Sequence, residues 1–411
     1  MRTLVAIALV SSGCSTLLGI SDPVAAGGDG GVGDDSQGDG EIIDGSLPGG
    51  SVDGAPIDGT AIDGVAIDGM AIDGGVSPCI APPSFTGPDR YLLDGTPGLM
   101  GLGRLDDVPG FDVAIALTTK VLILSGDGHG GFVGRQEIDT AADGLLVANF
   151  DIDSHDDLLL WTVGGSRVVE RRQDPDHLGS FPREQPLSGP FQGVRRISPG
   201  LLDGAFISDV VTQDDVERQV YTSSQLAPGT FSKGDKIGKA GDQVVQVANL
   251  IGEDSEDIVL VTAGGGVQIA SQIAGRFLTP PVEVASVAAG TAAQFGQFDG
   301  DSERALDLIV ATPSGGVLYR RGGSDTSPTF TRVPGEIAGV TGPTLQIVDV
   351  DGNGLDDIVV ADGIVQQCTP GVFSPLVRIA TSASTVFFDL DGNHKPELLR
   401  IVGQTLEVHR Q

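Results

Sequence analysis

The residues best suited to chemistry in this chain are oxygen-bearing side chains that recur at positions 1, 3, 5 and 9 of a nine-residue stretch. The clearest copies are NFDIDSHDD (149–157), DVDGNGLDD (349–357) and DLDGNHKPE (389–397). A hard cation such as Ca²⁺ takes six to eight oxygen ligands at about 2.3–2.6 Å, and a tight loop with this spacing can aim several oxygens at one point. The sequence therefore predicts about three structural calcium sites. The predicted ligands are Asn149, Asp151, Asp153, Asp157, Asp349, Asp351, Asn353, Asp357, Asp389, Asp391, Asn393 and Glu397.

Weaker copies of the same stretch lie between these three. NLIGEDSED (249–257) has an apolar residue at position 3, and QFDGDSERALD (297–307) is two residues longer. These two are candidates for a fourth or fifth ion, whereas GRLDDVPGFD (103–112) and LLDGAFISD (201–209) keep too few oxygens. The weaker candidate ligands are Asn249, Glu253, Asp257, Asp299, Asp301 and Asp307. The alternative for every copy is that Asp and Asn make Asx-turns between strands without an ion.

The last acid of each copy sets a period along the chain. These acids are Asp112, Asp157, Asp209, Asp257, Asp307, Asp357 and Glu397, and consecutive ones lie 40 to 52 residues apart. An apolar, β-rich run such as DLLLWTV follows each of them, and helical periodicity is essentially absent. Self-similarity at this period indicates a repeat architecture, and runs of about five apolar residues bounded by Gly and Asp indicate buried strands. The predicted fold class is all-β.

An EF-hand is the obvious competitor for a D-x-D-x-N-G loop, and the sequence excludes it. That loop needs a bidentate Glu at position 12 and a helix on each side. Position 12 here is Leu160, Val360 or Arg400, and the flanking residues are rich in Val and Ile.

With this repeat in view, the chain resembles the FG-GAP / VCBS repeat family, whose best-known member is the integrin α-subunit head. The resemblance implies a seven-bladed β-propeller over residues 79–411, with a calcium loop between the first and second strands of a blade. GDGHGGF (126–132), PGTF (228–231), AGRF (274–277) and PGVF (370–373) resemble the family's turn between third and fourth strands. About 47 residues per repeat suit four short strands.

The last repeat is too short for a complete blade, because only 14 residues follow Glu397. SFTGPDRYLL (84–93) resembles the fourth-strand segments of other repeats. We therefore expect this N-terminal strand to complete the last blade and close the ring. The alternative is that residues 80–95 form a loop and the last blade has three strands.

The N-terminus indicates export. Residues 1–19 contain one Arg, a short apolar core and the run SSGC, which resembles a bacterial lipobox with Cys14 as the lipidated residue. Ser11 departs from that pattern, so ordinary signal-peptidase cleavage, giving a secreted or periplasmic protein, stays open. With Ser15 after the cysteine, the resemblance implies an outer-membrane or cell-surface lipoprotein.

We interpret residues 20–78 as a disordered linker rich in Gly and Asp. Within it the dipeptide Asp-Gly recurs every five residues from Asp53 to Asp73. Such a chain cannot bury a core and is extended by self-repulsion. The whole chain carries a formal net charge of −32, so nucleic acid and anionic lipid surfaces are poor partners. We expect a monomer that touches the membrane only through its lipid anchor.

Two cysteines remain in an oxidising compartment, Cys79 and Cys368, and a disulfide between them would staple the ring. The alternative is two separate thiols. No catalytic motif is present: the five His lack zinc spacing and there is no G-x-S-x-G elbow.

We therefore expect a non-catalytic, calcium-stabilised cell-surface module that binds an unidentified protein or glycan. The alternative is a polysaccharide-active lyase or hydrolase. Charged residues converging on the channel from three or more blades would favour the enzyme.

Overall fold

Antiparallel strands make up the regular structure of the residues that the computed structural model describes. These are residues 83–411 apart from 152, 154, 164, 166, 175–176, 178, 190, 192, 203–207, 215, 217, 233, 251–255, 274–275, 278–280, 288–289, 300–305, 325–326 and 380–384. The predicted signal region and linker, Cys14, Cys79, Glu253 and Asp301 lie outside them. No helix in the described ranges is long and apolar enough to cross a membrane.

Thirty-four strands are described. They are β1 (Thr86–Leu92), β2 (Pro97–Gly103), β3 (Asp112–Leu117), β4 (Val121–Leu124), β5 (Gln136–Ile138), β6 (Gly144–Ala148), β7 (Asp157–Trp161), β8 (Val168–Arg172), β9 (Arg183–Pro186), β10 (Val194–Gly200), β11 (Asp209–Asp214), β12 (Val220–Ser223), β13 (Gln225–Ala227), β14 (Thr230–Phe231), β15 (Asp235–Ile237), β16 (Gln243–Ala248), β17 (Asp257–Val261), β18 (Val267–Ala270), β19 (Gln272–Ile273), β20 (Arg276–Phe277), β21 (Val282–Ala285), β22 (Ala292–Gly296), β23 (Asp307–Ala311), β24 (Gly316–Ser324), β25 (Ser327–Arg332), β26 (Leu345–Val348), β27 (Asp357–Val360), β28 (Gly363–Val365), β29 (Gln367–Thr369), β30 (Val372–Phe373), β31 (Val377–Arg378), β32 (Thr385–Phe388), β33 (Glu397–Val402) and β34 (Thr405–Arg410).

These strands form seven four-stranded sheets among the described residues, and we number them as blades. Blade 1 is β2–β5, blade 2 is β6–β9, blade 3 is β10–β12 with β15, and blade 4 is β16–β18 with β21. Blade 5 is β22–β25, blade 6 is β26–β28 with β31, and blade 7 is β32–β34 with β1. The expected seven-bladed all-β propeller is confirmed.

The core lies between neighbouring sheets. Second strands such as β7, with the sequence DLLLW, are buried along their whole length because a sheet packs on each of their faces. One apolar cluster occupies each junction between consecutive blades, from blades 1 and 2 round to blades 7 and 1. At the closing junction, Ile115 and Leu122 of blade 1 share a cluster with Leu399 and Leu406 of blade 7.

Blade 7 is completed by the N-terminal strand, as the length of the last repeat predicts. Strand β1 pairs antiparallel with β34, with Tyr91 opposite Leu406, so it is the outermost strand. Arg90 Nε contacts Glu407 Oε1 of β34 at 3.0 Å. The alternative that residues 80–95 form a loop is wrong for the strand Thr86–Leu92.

The family-like turns lie between third and fourth strands, also as expected. In blades 3, 4 and 6 they are small hairpins, β13–β14, β19–β20 and β29–β30. Gly229 and Gly371 have φ of 75° and 72°, a conformation that glycine adopts without steric cost. In blade 1 a bridge between Gly126 and Phe132 closes the equivalent turn.

Candidate metal centres

The three strongest predicted loops each join the first and second strands of a blade. Residues 149–157 connect β6 to β7, residues 349–357 connect β26 to β27, and residues 389–397 connect β32 to β33. Because consecutive strands of a blade run antiparallel, the loops between first and second strands all lie at the same end of their sheets. The turns between third and fourth strands lie at that end too. The hairpins between second and third strands lie at the opposite end.

The acid at position 9 is buried in all seven blades, with no more than 2% of its surface exposed. In blade 6 the amide N–H groups of Val350 and Gln367 donate to Asp357 at 2.9 and 2.7 Å. In blade 1, whose loop was expected to bind no ion, Leu105 and Gly126 donate to Asp112 at 2.6 and 2.8 Å. This carboxylate therefore ties the start of its loop to the end of the third strand.

Burial raises the pKa of four of these acids. It raises the pKa of Asp112 to about 6, of Asp157 to about 8, and of Asp357 and Glu397 to about 7. In the last three, the loop's other carboxylates raise the pKa further. A bound cation would oppose both effects, since it favours the ionised form.

Two loops bring three acids together. In blade 6, one carboxylate oxygen from each of Asp349, Asp351 and Asp357 lies within 4.8 Å of the others. The same is true of Asp389, Asp391 and Glu397 in blade 7. These are two of the three strongest sets that the sequence singled out.

The two loops share one backbone conformation, which the position-1 acid holds. Asp349 accepts hydrogen bonds from the amides of Gly352, Asn353 and Gly354 at 2.7–3.1 Å. Asp389 accepts the equivalent bonds from Gly392, Asn393 and His394 at 2.8–3.1 Å. Residue 6 of the loop has positive φ in both, 82° at Gly354 and 64° at His394.

The position-5 asparagines also have their oxygens directed within the loop. Asn353 Oδ1 accepts from the amide of Leu355, and Asn393 Oδ1 from that of Lys395, both at 2.7 Å. Each loop thus offers one oxygen from each of its three clustered carboxylates, together with the side-chain oxygen of its asparagine. That donor set suits Ca²⁺ rather than a thiolate- or imidazole-preferring metal.

The blade 2 loop differs. Asp151, Asp153 and Asp157 do not form a three-acid cluster of this kind among the described residues. The side-chain amide of Asn149 donates to the carbonyl of Asp153 instead. Arg172 occupies the position that Gln366 has in blade 6. Its hydrogen bond to Glu170 is the main cause that raises the pKa of Arg172, and the charges of Asp157 and Asp151 raise it further. Calcium at Asn149, Asp151, Asp153 and Asp157 remains a prediction.

The weaker candidates are only partly described. Asp257 accepts from the amide of Leu250 at 3.0 Å, and Asp307 from that of Arg321 at 2.8 Å. Asn249 and Asp299 are described, but no three-acid cluster is described in their loops. Glu253 and Asp301 lie outside the described residues.

A glutamine at the end of the third strand is a structural residue that the sequence reading missed. The side-chain amides of Gln225, Gln367 and Gln411 donate to position-2 carbonyls of the preceding blade, at 3.0, 2.6 and 2.6 Å. Gln173 makes the same contact to Leu105. The sequence does contain a signal for this glutamine, because the third-strand segments VERRQ, YTSSQ, GIVQQ and LEVHRQ all end in Gln.

The channel is lined by the first strands of the blades, which carry charge at Arg195 and Arg196 of β10 alone. Arg196 donates to the carbonyl of Val244 in blade 4, and burial lowers its pKa to about 10. Gln246 accepts from the amide of Phe295 at 2.9 Å, linking blade 4 to blade 5. Among the first strands that the structure describes, charged residues therefore come from one blade.

A cleft of about 510 Å³ lies at the opposite end of the sheets from the metal loops. Its lining includes Lys239, Asp242, Thr262, Gln268 and Glu283. Asp242 is nearly buried and accepts from the amide of Lys239 at 2.7 Å. The sequence reading gave no indication of this cleft.

Cys368 is disulfide-bonded. Its partner lies outside the described residues, so the pairing with Cys79 remains a prediction.

The fold is that of a seven-bladed β-propeller, and comparison with solved structures agrees. BBS1N, crystallised in complex with ARL6DN and soaked with lead, matches with a TM-score of 0.50 and 10% identity over 79% of this chain and 96% of that chain. Two structures of virginiamycin B lyase from Staphylococcus aureus, one a catalytically inactive form with quinupristin, have TM-scores of 0.48. They are 11% and 12% identical, over 80% of this chain and 100% of theirs. No protein-family model and no curated protein matches the chain.

Proposed function

We propose that this protein is a non-catalytic, calcium-stabilised propeller of the FG-GAP / VCBS type that presents its loops to a protein or glycan outside the cell. The observation that carries the proposal is the pair of three-acid clusters in the neighbouring blades 6 and 7. Each cluster is held by backbone amides in the same conformation, so a cation would find its ligands already arranged.

Electrostatics supports calcium at these loops. Burial and the neighbouring acids raise the pKa of Asp357 and Glu397 to about 7. Keeping these carboxylates ionised at neutral pH costs free energy unless a positive charge offsets it. The charges that raise the pKa of these two groups are those of the other acids in each loop, so Ca²⁺ is the natural counter-charge. The ion braces the loop and does no chemistry in this proposal.

The residues that line the channel support the proposal that the protein is not an enzyme. A hydrolase or lyase site at the centre of the ring would draw acid, base and cation from several blades, and the first strands supply only Arg195 and Arg196. Hydrogen bonds between blades, such as that from the Phe295 amide to the side-chain oxygen of Gln246, instead give channel-side residues a structural role.

The cleft at the opposite end of the sheets supports a second candidate function, that of an enzyme. Lys239, Asp242 and Glu283 line a space large enough for one or two sugar rings. A polysaccharide lyase or hydrolase would use that cleft rather than the metal loops.

Export and anchoring through Cys14 are part of the proposal. The acidic linker of residues 20–78 would hold the ring off the outer membrane or cell surface. Cys14→Ala should release the protein from the membrane fraction of its host, whereas a soluble wild-type protein would contradict lipidation.

One experiment separates the two functions. The full-length protein is applied to glycan and protein arrays in Ca²⁺ and in EGTA, and in parallel is incubated with polysaccharides while reducing ends and unsaturated sugars are measured. The proposal predicts saturable binding without product. Turnover that is lost in a Glu283→Gln variant would establish the enzyme instead, with exposed Glu137→Gln as the matched control.

A further inference from the structure

Position 8 of the repeat alternates from blade to blade. It is an acid in blades 2, 4 and 6, namely Asp156, Glu256 and Asp356, which stand 100 residues apart. In blades 1, 3, 5 and 7 it is Phe111, Ser208, Leu306 and Pro396. The repeat therefore has a second period of two blades, which the spacing of the position-9 acids does not reveal.

Each position-8 acid reaches back to the loop of the preceding blade. Asp156 Oδ2 accepts from the amide of Arg104 at 2.8 Å. Glu256 Oε2 accepts from the amide of Leu201, and Asp356 Oδ2 from that of Gln297, both at 2.7 Å. A charge-assisted bond of this length is among the stronger hydrogen bonds. We call this contact the carboxylate latch.

A glycine makes room for every latch. A methyl group at Gly103, Gly200 or Gly296 would lie 2.3–2.6 Å from a branched side chain of the next blade. Those side chains are Val147, Val247 and Ile347, again 100 residues apart. The equivalent residues of the even blades, Ala148, Ala248 and Val348, carry a Cβ. Latched sheets therefore approach more closely at this edge.

None of the latched loops has Asp or Asn at position 1. That position is Arg104, Leu201 or Gln297 in the latched loops of blades 1, 3 and 5. It is Asn149, Asn249, Asp349 or Asp389 in blades 2, 4, 6 and 7. In blades 6 and 7 the position-1 side chain itself binds the loop amides. A loop start is thus held either by its own side chain or by an acid of the next blade.

In blades 2 and 7 the start of the loop also contacts the blade that follows it. The carbonyl of Asn149 accepts from the amide of Ser208 at 3.2 Å, and that of Leu390 accepts from Phe111 at 3.2 Å. A cation in the loop of one blade therefore braces the junction with the next blade.

We propose that the ring uses two kinds of junction: carboxylate latches at 1/2, 3/4 and 5/6, and cation-braced loops at 2/3, 6/7 and 7/1. The cation half rests on the proposed function. This removes the loop 297–307, with Asp299 and Asp307, from the candidate cation-binding set. Losing the cation loosens the junctions 2/3, 6/7 and 7/1 and leaves the latched junctions closed.

Hydrogen–deuterium exchange of the full-length protein in Ca²⁺ and in cation-free buffer tests the proposal. On cation removal, exchange should rise at least several-fold in loops 149–157, 349–357 and 389–397. It should stay unchanged in loops 103–112, 201–209 and 297–307. A second arm uses Glu256→Ala, which removes the acceptor and should raise exchange at the Leu201 amide even in Ca²⁺, with Ser208→Ala as the control at the same position of blade 3.

The outcomes are distinct. An equal rise in both sets of loops overturns the alternation while leaving calcium binding in place. No rise in any loop overturns the proposed function, and the cation half with it. Unchanged exchange at Leu201 in a folded Glu256→Ala protein overturns the latch. If that variant does not fold, the wild-type comparison between the two sets of loops still decides.

Discussion

At the scale of single residues, the acid that ends each repeat is a backbone clamp as well as a candidate ligand. Asp112 and Asp209 belong to loops with few oxygens, yet both are buried and accept backbone amides. A buried N–H group without an acceptor costs about 1–3 kcal/mol. The recurrence of the acid in all seven blades is explained by this clamp, and a cation adds to it in only some of them.

Asp112→Ala tests the clamp without disturbing a candidate metal loop. It removes the acceptor of two amides, those of Leu105 and Gly126, so we expect the free energy of unfolding to fall by about 2–5 kcal/mol. Asp106→Ala, which removes one exposed bond to Val108, should change it by less than about 0.5 kcal/mol. Urea denaturation of both variants measures the difference, and equal effects would refute the clamp.

The raised pKa values predict how stability depends on pH. Asp357 and Glu397 titrate near 7 in the folded protein without a cation, against about 4 when unfolded. The folded state then binds more protons between pH 4 and 7, so stability falls as the pH rises through that window. Bound Ca²⁺ holds the carboxylates ionised and should remove or reverse the slope. Urea midpoints from pH 4 to 8 with and without Ca²⁺ check this, and identical slopes would count against calcium at these acids.

At the scale of elements, the close junctions depend on glycine at the end of an odd blade's first strand. Gly200→Ala would place a methyl group 2.6 Å from Val247 Cγ1, so we expect a loss of about 1–3 kcal/mol. Ala248 is the equivalent residue of blade 4 and lies at a different junction. Ala248→Gly is therefore the matched control, and it should cost about 1 kcal/mol or less. Thermal denaturation compares the two, and a neutral Gly200→Ala would contradict the close approach.

Strands and turns were largely predictable because their signals are local. Apolar runs after each acid became second strands, and the Gly-containing phrases became turns between third and fourth strands. The glutamine at the third-strand end and the acid at position 8 could not be assigned, because their partners, such as the carbonyl of Phe298 and the amide of Gln297, lie in another blade. One sequence does not show which blade faces which backbone group.

At the scale of the whole molecule, the short last repeat correctly predicted how the ring closes. The cleft at the far end of the sheets was invisible in the sequence because its lining comes from three separate segments, around 239–242, 262–268 and 283–287. The same limit applies to the ligand, since residues that meet only in three dimensions define a binding surface.

Deleting residues 84–93 tests the closure. The deletion exposes the edge of β34 (Thr405–Arg410) and removes the bond between Arg90 and Glu407. We expect faster proteolysis and a tendency to associate through the free edge. A deletion of the same length from the acidic linker, residues 54–63, is the control. Protease resistance equal to the control would contradict a role for β1 in closing the ring.

The calcium dependence of the melting temperature tests the central claim most directly. Protein stripped of divalent cations is heated in buffers of increasing Ca²⁺ concentration. Each occupied site adds about 2.7 kcal/mol when Ca²⁺ is at 100 times its dissociation constant, so two or three sites should raise the melting temperature by roughly 8–12 °C. The rise should be smaller in Asp351→Ala and in Asp391→Ala, each of which removes one ligand of a three-acid cluster. A melting temperature that does not change with Ca²⁺ would contradict the account.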